Sequence, residues 1–239
     1  MTVFFDLETT GLDFIKDKII EISCIKVDDN LNIVDKFYSR FNTEGVTIDP
    51  DAFEKHGITE EDLKNEPCFK DKVDEIISFF SDCNIGGYNI KHFDIPFLYT
   101  KLLECGKLLN VRDKQIYDIY LLYKKYNSGK LTEVYKRYLG KELDNAHSAD
   151  ADTLATIEIF KEQIHRGETF ESNDETSLYK DMIDINGFLV KQEDGVYINF
   201  GKHKGTKINE VDPSYLKWII NSDFPLDLKM ILQKFLNKM

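Results

Sequence analysis

The chain has 239 residues, of which 42% are hydrophobic and 13% aromatic, so it can bury a substantial core in one or two domains. Its net charge of −12 argues against tight non-specific binding to a polyanion, unless some of the acids ligate cations. We find neither a signal peptide nor an apolar run of 18 residues, and the four cysteines lack metal-ligand spacing, so we expect a soluble cytoplasmic protein with reduced thiols.

The first predicted strand is apolar but contains two acids. Val3, Phe4 and Phe5 precede Asp6, and Glu8 follows one residue later. Because side chains alternate along a strand, both carboxylates point to one face, where Mg²⁺ or Mn²⁺ would find oxygen ligands. A solvent-exposed edge strand is the alternative explanation for such a pair. The Thr-Thr-Gly sequence at 9–11 predicts a turn that a ligand can approach closely.

The following segments predict an antiparallel meander and then helices. Strands are predicted over 18–27 and 33–41. Helix starts and ends are marked by the residue types that cap helices, namely Asp49 with Pro50, Gly57 and Thr59. Apolar residues at helical spacing predict another helix over 70–80.

A further acid follows the next predicted strand. Residues 84–98 predict a short strand, a loop and then a helix that begins near Asp94. N-capping of that helix would by itself explain Asp94. Further elements are predicted in chain order as a strand over 114–117 and helices over 118–126 and 131–139.

His147 and Asp152 stand at the start of the next predicted helix. Small residues surround them in the sequence Asn-Ala-His-Ser-Ala-Asp-Ala-Asp at 145–152, which favours close packing against a ligand. Two alternatives stay open for this segment. Acids in a first turn complement the helix dipole, and a lone histidine is often a buried or capping residue.

The end of the chain predicts a small second module. Residues 167–187 are acidic and polar and predict a linker between a domain at 1–166 and a C-terminal region at 188–239. Basic and aromatic residues occur together in this region, namely Lys202, Lys204, Tyr215 and Trp218. Accessory contact with nucleic acid is one interpretation of these residues. A small hydrophobic core with solvated lysines, or a protein-docking module, are the alternatives.

The motifs together resemble those of the DEDDh exonucleases, relatives of the DNA polymerase III epsilon subunit. The resemblance covers about residues 1–166 and rests on the sequences at 5–11, 89–98 and 146–152, with a His-Gly-Ile segment at 56–58. It implies an α/β fold with a ribonuclease-H-like mixed sheet flanked by helices. The C-terminal region resembles the small α+β module of exodeoxyribonuclease X-like proteins.

The resemblance also implies a function, metal-dependent 3′-to-5′ hydrolysis of DNA that releases nucleoside 5′-monophosphates. Two Mg²⁺ or Mn²⁺ ions would be held by the four acids of the motifs, Asp6, Glu8, Asp94 and Asp152. His147 would act as the general base. The residues implied at the terminal nucleotide are Thr9, Gly11, Leu12, Asn89 and Phe93. Single-stranded or 3′-terminal DNA is the expected partner, with no membrane; an RNA-trimming enzyme and a non-catalytic nucleic-acid-binding module are the alternatives.

Overall fold

The structure is a computed structural model, and it describes residues 1–238. Its central sheet is built from the strands β1 (Thr2–Thr9), β2 (Ile19–Val27), β3 (Ile33–Arg40), β4 (Asn84–Gly87) and β5 (Ile116–Asp118). The strand order is β3-β2-β1-β4-β5. Because β1 pairs antiparallel with β2 and parallel with β4, the strand that carries the first two acids lies in the middle of a mixed sheet.

Helices cover the sheet and also occur in the C-terminal region. In chain order they are α1 (Pro50–His56), α2 (Glu60–Leu63), α3 (Val73–Phe79), α4 (Asp94–Glu104), α5 (Ile119–Lys124), α6 (Leu131–Leu139), α7 (Ala149–His165), α8 (Asn173–Thr176), α9 (Pro213–Asn221) and α10 (Leu226–Leu236). The predicted caps of α1 are confirmed. The Asp49 carboxylate accepts the Asp51 N–H, and Gly57 ends the helix with a left-handed φ of 66°.

The two faces of β1 pack into different hydrophobic clusters, as the alternation of side chains along a strand predicts. Val3, Phe5 and Leu7 belong to a buried cluster that also contains apolar residues of α3 and α4. Phe4 lies on the opposite face, in a cluster with apolar residues of α5, α6 and α7. Asp6 and Glu8 follow Phe4 on this second face, so the acids lie at the edge of a packed layer.

The segment 167–187, which we predicted to be a linker, packs against the sheet domain. It contains α8, and Tyr179 is 1% exposed within the cluster below the first face of β1. The Tyr179 hydroxyl donates a hydrogen bond to the Lys91 carbonyl at 2.9 Å. The acidic composition reflects the solvent-facing side chains, whereas a few apolar ones anchor the segment. The domain boundaries themselves stay a prediction.

The C-terminal region forms a small α+β unit. Strands β6 (Leu189–Gln192) and β7 (Gly195–Ile198) make an antiparallel hairpin, and apolar residues of α9 and α10 pack with it into a core of their own. Within residues 1–238, no helix is both long and apolar enough to cross a membrane.

Candidate active site

Three carboxylates converge where β1 meets the start of α7. One oxygen each of Asp6, Glu8 and Asp152 lie within 4.8 Å of one another, and we call these three residues the acid cluster. Asp6 and Glu8 come from β1, and Asp152 comes from the first turn of α7. Oxygen donors at this spacing match the ligand type that Mg²⁺ and Mn²⁺ take in proteins.

Asp94 lies beside the acid cluster, at the first residue of α4. It is 4% exposed, and its charge is the strongest electrostatic influence on the pKa of Asp6. The Oδ1 atom of Asp94 accepts the backbone N–H of Leu7 at 3.2 Å. Because the N-cap residue of α4 is Phe93, the capping explanation for Asp94 is wrong. The carboxylate is instead directed at β1, next to the other acids.

Burial raises the pKa of all four acids at this site, and repulsion from the other acids adds to it at Asp6 and Glu8. Burial is the largest cause throughout, and it raises the pKa of Asp6 well above its usual range, with repulsion from Asp94 and Glu8 adding to it. The same cause raises the pKa of Glu8 to about 9, that of Asp94 to about 7 and that of Asp152 to about 6. Near neutral pH the four carboxylates are therefore not all ionised unless positive charge is supplied nearby.

His147 holds Asp152 in place through its backbone. The His147 N–H donates to Asp152 Oδ2 at 3.2 Å, and His147 adopts a left-handed φ of 66°. The other oxygen, Asp152 Oδ1, is buried and accepts no hydrogen bond from residues 1–238. Because a buried oxygen without a partner is costly, the Oδ1 atom fits a site completed by a cation. The His147 side chain is exposed.

The turn after β1 is fixed by hydrogen bonds and by a glycine. Thr9 Oγ1 donates to the Gly11 carbonyl at 2.7 Å. A Cβ atom on Gly11 would lie 2.4 Å from Asp17 Oδ2, so only glycine fits beside this carboxylate without a shift. Leu12 is 70% exposed directly after this turn. The turn therefore presents an apolar side chain to solvent four residues after Glu8.

Asn89 and Phe93 lie in the loop that leads into α4. Asn89 has a left-handed φ of 59°, and its N–H donates to Asp118 Oδ1 at 3.0 Å. Phe93 packs against Phe14, with their ring centroids 6.2 Å apart. Asp118 caps α5, as predicted, but its carboxylate also accepts the Lys91 N–H at 3.1 Å. This buried acid therefore organises the loop, a role that the sequence analysis missed.

Glu21 is a second buried acid that the sequence analysis missed. It is fully buried on β2, directly opposite Glu8 in the strand register. Its Oε1 atom accepts the Ala149 N–H at 2.9 Å, and its Oε2 atom accepts Arg40 Nε at 2.7 Å and the Tyr38 hydroxyl at 3.0 Å. Glu21 thereby ties the start of α7 to the sheet. The signal in the sequence was a glutamate inside the apolar run Ile-Ile-Glu-Ile.

The predicted accessory residues lie in the C-terminal region, at the short turn after β7 and on α9. Lys202 Nζ is 5.1 Å from the ring centroid of Tyr215, and Tyr215 stacks on Trp218 with centroids 5.4 Å apart. Lys204 is exposed on the same turn as Lys202. These four residues therefore form a surface feature separate from the acid cluster in the fold.

The exonuclease family model RNase_T matches residues 3–160. The DNA polymerase III PolC-type protein of Clostridium perfringens is 35% identical over 161 residues, which are 66% of this chain and 11% of that protein. The 3′-5′ exonuclease DinG of Staphylococcus epidermidis is 28% identical over 181 residues, which are 73% of this chain and 19% of that protein. The chain thus spans less than a fifth of the length of either relative.

Solved structures share the fold. E. coli exonuclease I in complex with a dT13 oligonucleotide has a TM-score of 0.65 at 18% identity, and the match covers 92% of this chain and 59% of that chain. The zinc-bound form of its complex with single-stranded DNA has a TM-score of 0.62 at 21% identity, covering 69% of this chain and 40% of that chain. The mixed five-stranded sheet flanked by helices is therefore the ribonuclease-H-like exonuclease fold that the motifs imply.

Proposed function

The chain belongs to the exonuclease family, and on this basis we propose that it is a metal-dependent 3′-to-5′ exonuclease that hydrolyses DNA to nucleoside 5′-monophosphates. The observation that supports this most strongly is the acid cluster with Asp94 beside it. Four carboxylates with raised pKa values in one place destabilise a fold, so a structural role does not explain them. Such an arrangement is explained by the binding of cations that also act on a phosphodiester.

We propose that two Mg²⁺ or Mn²⁺ ions are held by the four acids. The donors are all oxygens, and the buried Asp152 Oδ1 has no hydrogen-bond partner within residues 1–238, so the residues present fit these hard cations. When bound, the ions supply positive charge that stabilises the attacking and leaving oxygens during in-line displacement at phosphorus. Glu21 supports this set indirectly, because it fixes the start of the helix that carries Asp152.

His147 is proposed as the general base. His147 is exposed, and its backbone N–H donates to Asp152. The imidazole is therefore open to solvent next to the acid cluster. Histidine is the side chain that changes charge nearest neutral pH, which suits it to accept the proton that the attacking water loses. A histidine at this place in the third motif supports the proposal that the chain is a DEDDh exonuclease.

The terminal nucleotide is proposed to bind between the turn after β1 and the loop before α4. Leu12 exposes an apolar side chain that can cover a base, and the turn that Thr9 and Gly11 form would bring the backbone close to the sugar. Asn89 and Phe93 would line the other side. We favour DNA as the substrate because the similar proteins are named as a DNA polymerase and as exonucleases, one of them bound to a DNA oligonucleotide.

Digestion of matched 3′-labelled and 5′-labelled oligonucleotides tests this proposal. With Mg²⁺ we expect single-stranded DNA to shorten from its 3′ end with release of mononucleotides, and EDTA to stop the reaction. Asp6→Asn, purified in parallel, controls for a contaminating nuclease. Faster digestion of RNA of the same sequence would indicate an RNA-trimming enzyme, and binding without any digestion would indicate a non-catalytic module. Shortening from the 5′ end would contradict the proposed polarity.

A further inference from the structure

A row of aromatic rings crosses the C-terminal region. We call it the aromatic row; it begins with Phe188, Phe200 and Phe224, which all contact one another, and continues through Trp218, Tyr215 and His203. Neighbouring ring centroids are between 4.4 and 5.9 Å apart along the whole row. The rings are therefore in contact with one another along the row and are not isolated.

The half of the aromatic row that contains Trp218 is open to solvent at this residue. Trp218 is 53% exposed, and its ring lies at 27° to that of Tyr215, which is a stacked arrangement. Phe200, Tyr215 and Phe224 pack against the core of the C-terminal region, but Trp218 is not part of that core. Core packing, the alternative explanation of these aromatics, therefore accounts for most of the row but leaves the exposed Trp218 without a structural role.

Two exposed lysines lie on the turn beside Tyr215, namely Lys202, whose Nζ atom is 5.1 Å from the Tyr215 ring centroid, and Lys204. Lys202 and Lys204 form no ion pair with a carboxylate of the described residues, whereas Lys207, from the same segment, pairs with Asp194 at 2.9 Å. The Asp212 carboxylate, which accepts the Ser214 N–H at 2.7 Å as the cap of α9, is close enough to Lys202 for the lysine to contribute to lowering its pKa, so Asp212 offsets part of the charge of the two lysines. A local positive surface on a chain with a net charge of −12 indicates an anionic ligand.

The Phe188 end of the aromatic row reaches a cleft between the C-terminal region and the sheet domain. Phe188 lines this cleft, which has a volume of about 680 Å³. Lys91 and His92, from the loop that leads to Asp94, line it from the opposite side together with Phe14. Phe14 in turn packs against Phe93 at the proposed nucleotide site. The cleft thus connects the aromatic row with the loop beside the acid cluster.

We infer that the aromatic row, with Lys202 and Lys204, is a second binding surface for single-stranded nucleic acid. It would hold the strand several nucleotides before the 3′ end while the terminal nucleotide lies at the acid cluster, so the inference rests on the proposed function. Exposed rings bind bases by stacking and lysines neutralise phosphates, which is how proteins hold single strands without reading their sequence. A strand shorter than the distance between the two surfaces would not reach the row.

The test measures binding by the inactive Asp6→Asn protein to single-stranded DNA of about 4 and about 20 nucleotides, across a salt series. Trp218→Ala, or Lys202→Glu with Lys204→Glu, should weaken binding of the longer strand about tenfold or more. The lysine pair should also lower the slope of log affinity against log salt by about one to two. Affinity for the shorter strand should change less than about twofold, since it does not reach the row.

Matched controls are available in the same chain. Tyr126 is 57% exposed, so Tyr126→Ala removes an exposed aromatic elsewhere, and Lys234→Glu with Lys238→Glu makes the same charge change outside the row. Circular dichroism checks that each variant is folded. Unchanged affinity and salt slope in the row variants, or equal losses in the controls, would refute the inference and leave protein docking as the role of the surface. The same dependence with an RNA strand would support it, because stacking and charge are common to both.

The two proposals fail in different ways. If the wild-type chain hydrolyses neither oligonucleotide with Mg²⁺, the proposed function is wrong. If it hydrolyses both but Trp218→Ala binds the longer strand as tightly as the parent, only the binding surface is wrong.

Discussion

At the scale of single residues, the acids of the site set how stability depends on pH. The folded-state pKa values of Asp94 and Asp152, about 7 and about 6, lie above the ordinary value of 3.8. At a pH between the ordinary value and the folded-state value, each of these acids keeps its proton in the folded chain but has lost it in the unfolded chain. Raising the pH through this range therefore lowers the free energy of unfolding. Without metal, stability should therefore fall as the pH rises from about 4 to about 7.

Thermal unfolding in EDTA and in Mg²⁺ measures this effect. Asp6→Asn removes one repelling charge and should melt higher than the wild type near neutral pH in EDTA, while Asp29→Asn, at a carboxylate that is 95% exposed, should not. Mg²⁺ should stabilise the wild type, and more so at about pH 8 than at about pH 5, because it binds the ionised acids. A melting temperature that does not respond to Mg²⁺ at the higher pH would contradict the metal site.

A substitution at His147 can remove the imidazole and keep the backbone hydrogen bond to Asp152. His147→Asn should lower the hydrolysis rate at neutral pH by about 10²-fold, the usual effect of losing a general base. Asparagine tolerates the left-handed φ of 66° and keeps the N–H that Asp152 Oδ2 accepts, so metal binding should persist. His165→Asn, at the other end of α7, is the control. A variant that kept its rate near pH 7 and lost only thermal stability would reduce His147 to a structural role.

At the scale of secondary-structure elements, Glu21 positions α7 against the sheet. Glu21→Gln removes the charge that pairs with Arg40 and weakens the hydrogen bond that the Ala149 N–H donates to residue 21. The free energy of unfolding should therefore fall by about 1–3 kcal/mol. The half-saturating Mg²⁺ concentration should rise as well, because α7 carries Asp152. Urea unfolding and a Mg²⁺ titration of activity check both effects. If only stability falls, Glu21 supports the fold without positioning the metal ligand.

Local features were predictable from the sequence, and long-range ones were not. The caps at Asp49 and Gly57 and the facing of Asp6 and Glu8 follow from neighbours a few residues away. The roles of Glu21 and Asp118 depend on partners that are 128 and 29 residues distant, and no local pattern encodes those pairs. For the same reason the acidic stretch at 167–187 indicated a linker, although Tyr179 anchors it in the core.

At the scale of the whole molecule, the C-terminal region is joined to the sheet domain by buried contacts. The Ile185 N–H donates to Asp227 Oδ2 at 2.7 Å, and Ile185 belongs to the same buried cluster as β1. Asp227 is 6% exposed near the start of α10, which packs against α4. Deleting residues 188–239 would leave this N–H without its partner and expose apolar surface. Point substitutions are therefore a better test of the region's role than truncation.

Asp227 should couple the unfolding of the C-terminal region to that of the sheet domain. Trp218 is the only tryptophan, so its fluorescence reports on the C-terminal region, while far-UV circular dichroism reports on the whole chain. In the wild type we expect the two signals to change at the same urea concentration. Asp227→Ala removes the acceptor of the Ile185 N–H. This loss should lower the free energy of unfolding by about 1–3 kcal/mol and move the fluorescence transition to a lower urea concentration.

Asp227→Asn is the matched variant, since it keeps one acceptor oxygen and removes the repulsion between Asp227 and Asp184. It should therefore keep the two transitions together and lose less stability than Asp227→Ala. Separate transitions in the wild type would mean that the C-terminal region unfolds independently. Equal losses in both variants would assign the coupling to the charge of Asp227, which faces Arg112, and not to its hydrogen bond with Ile185.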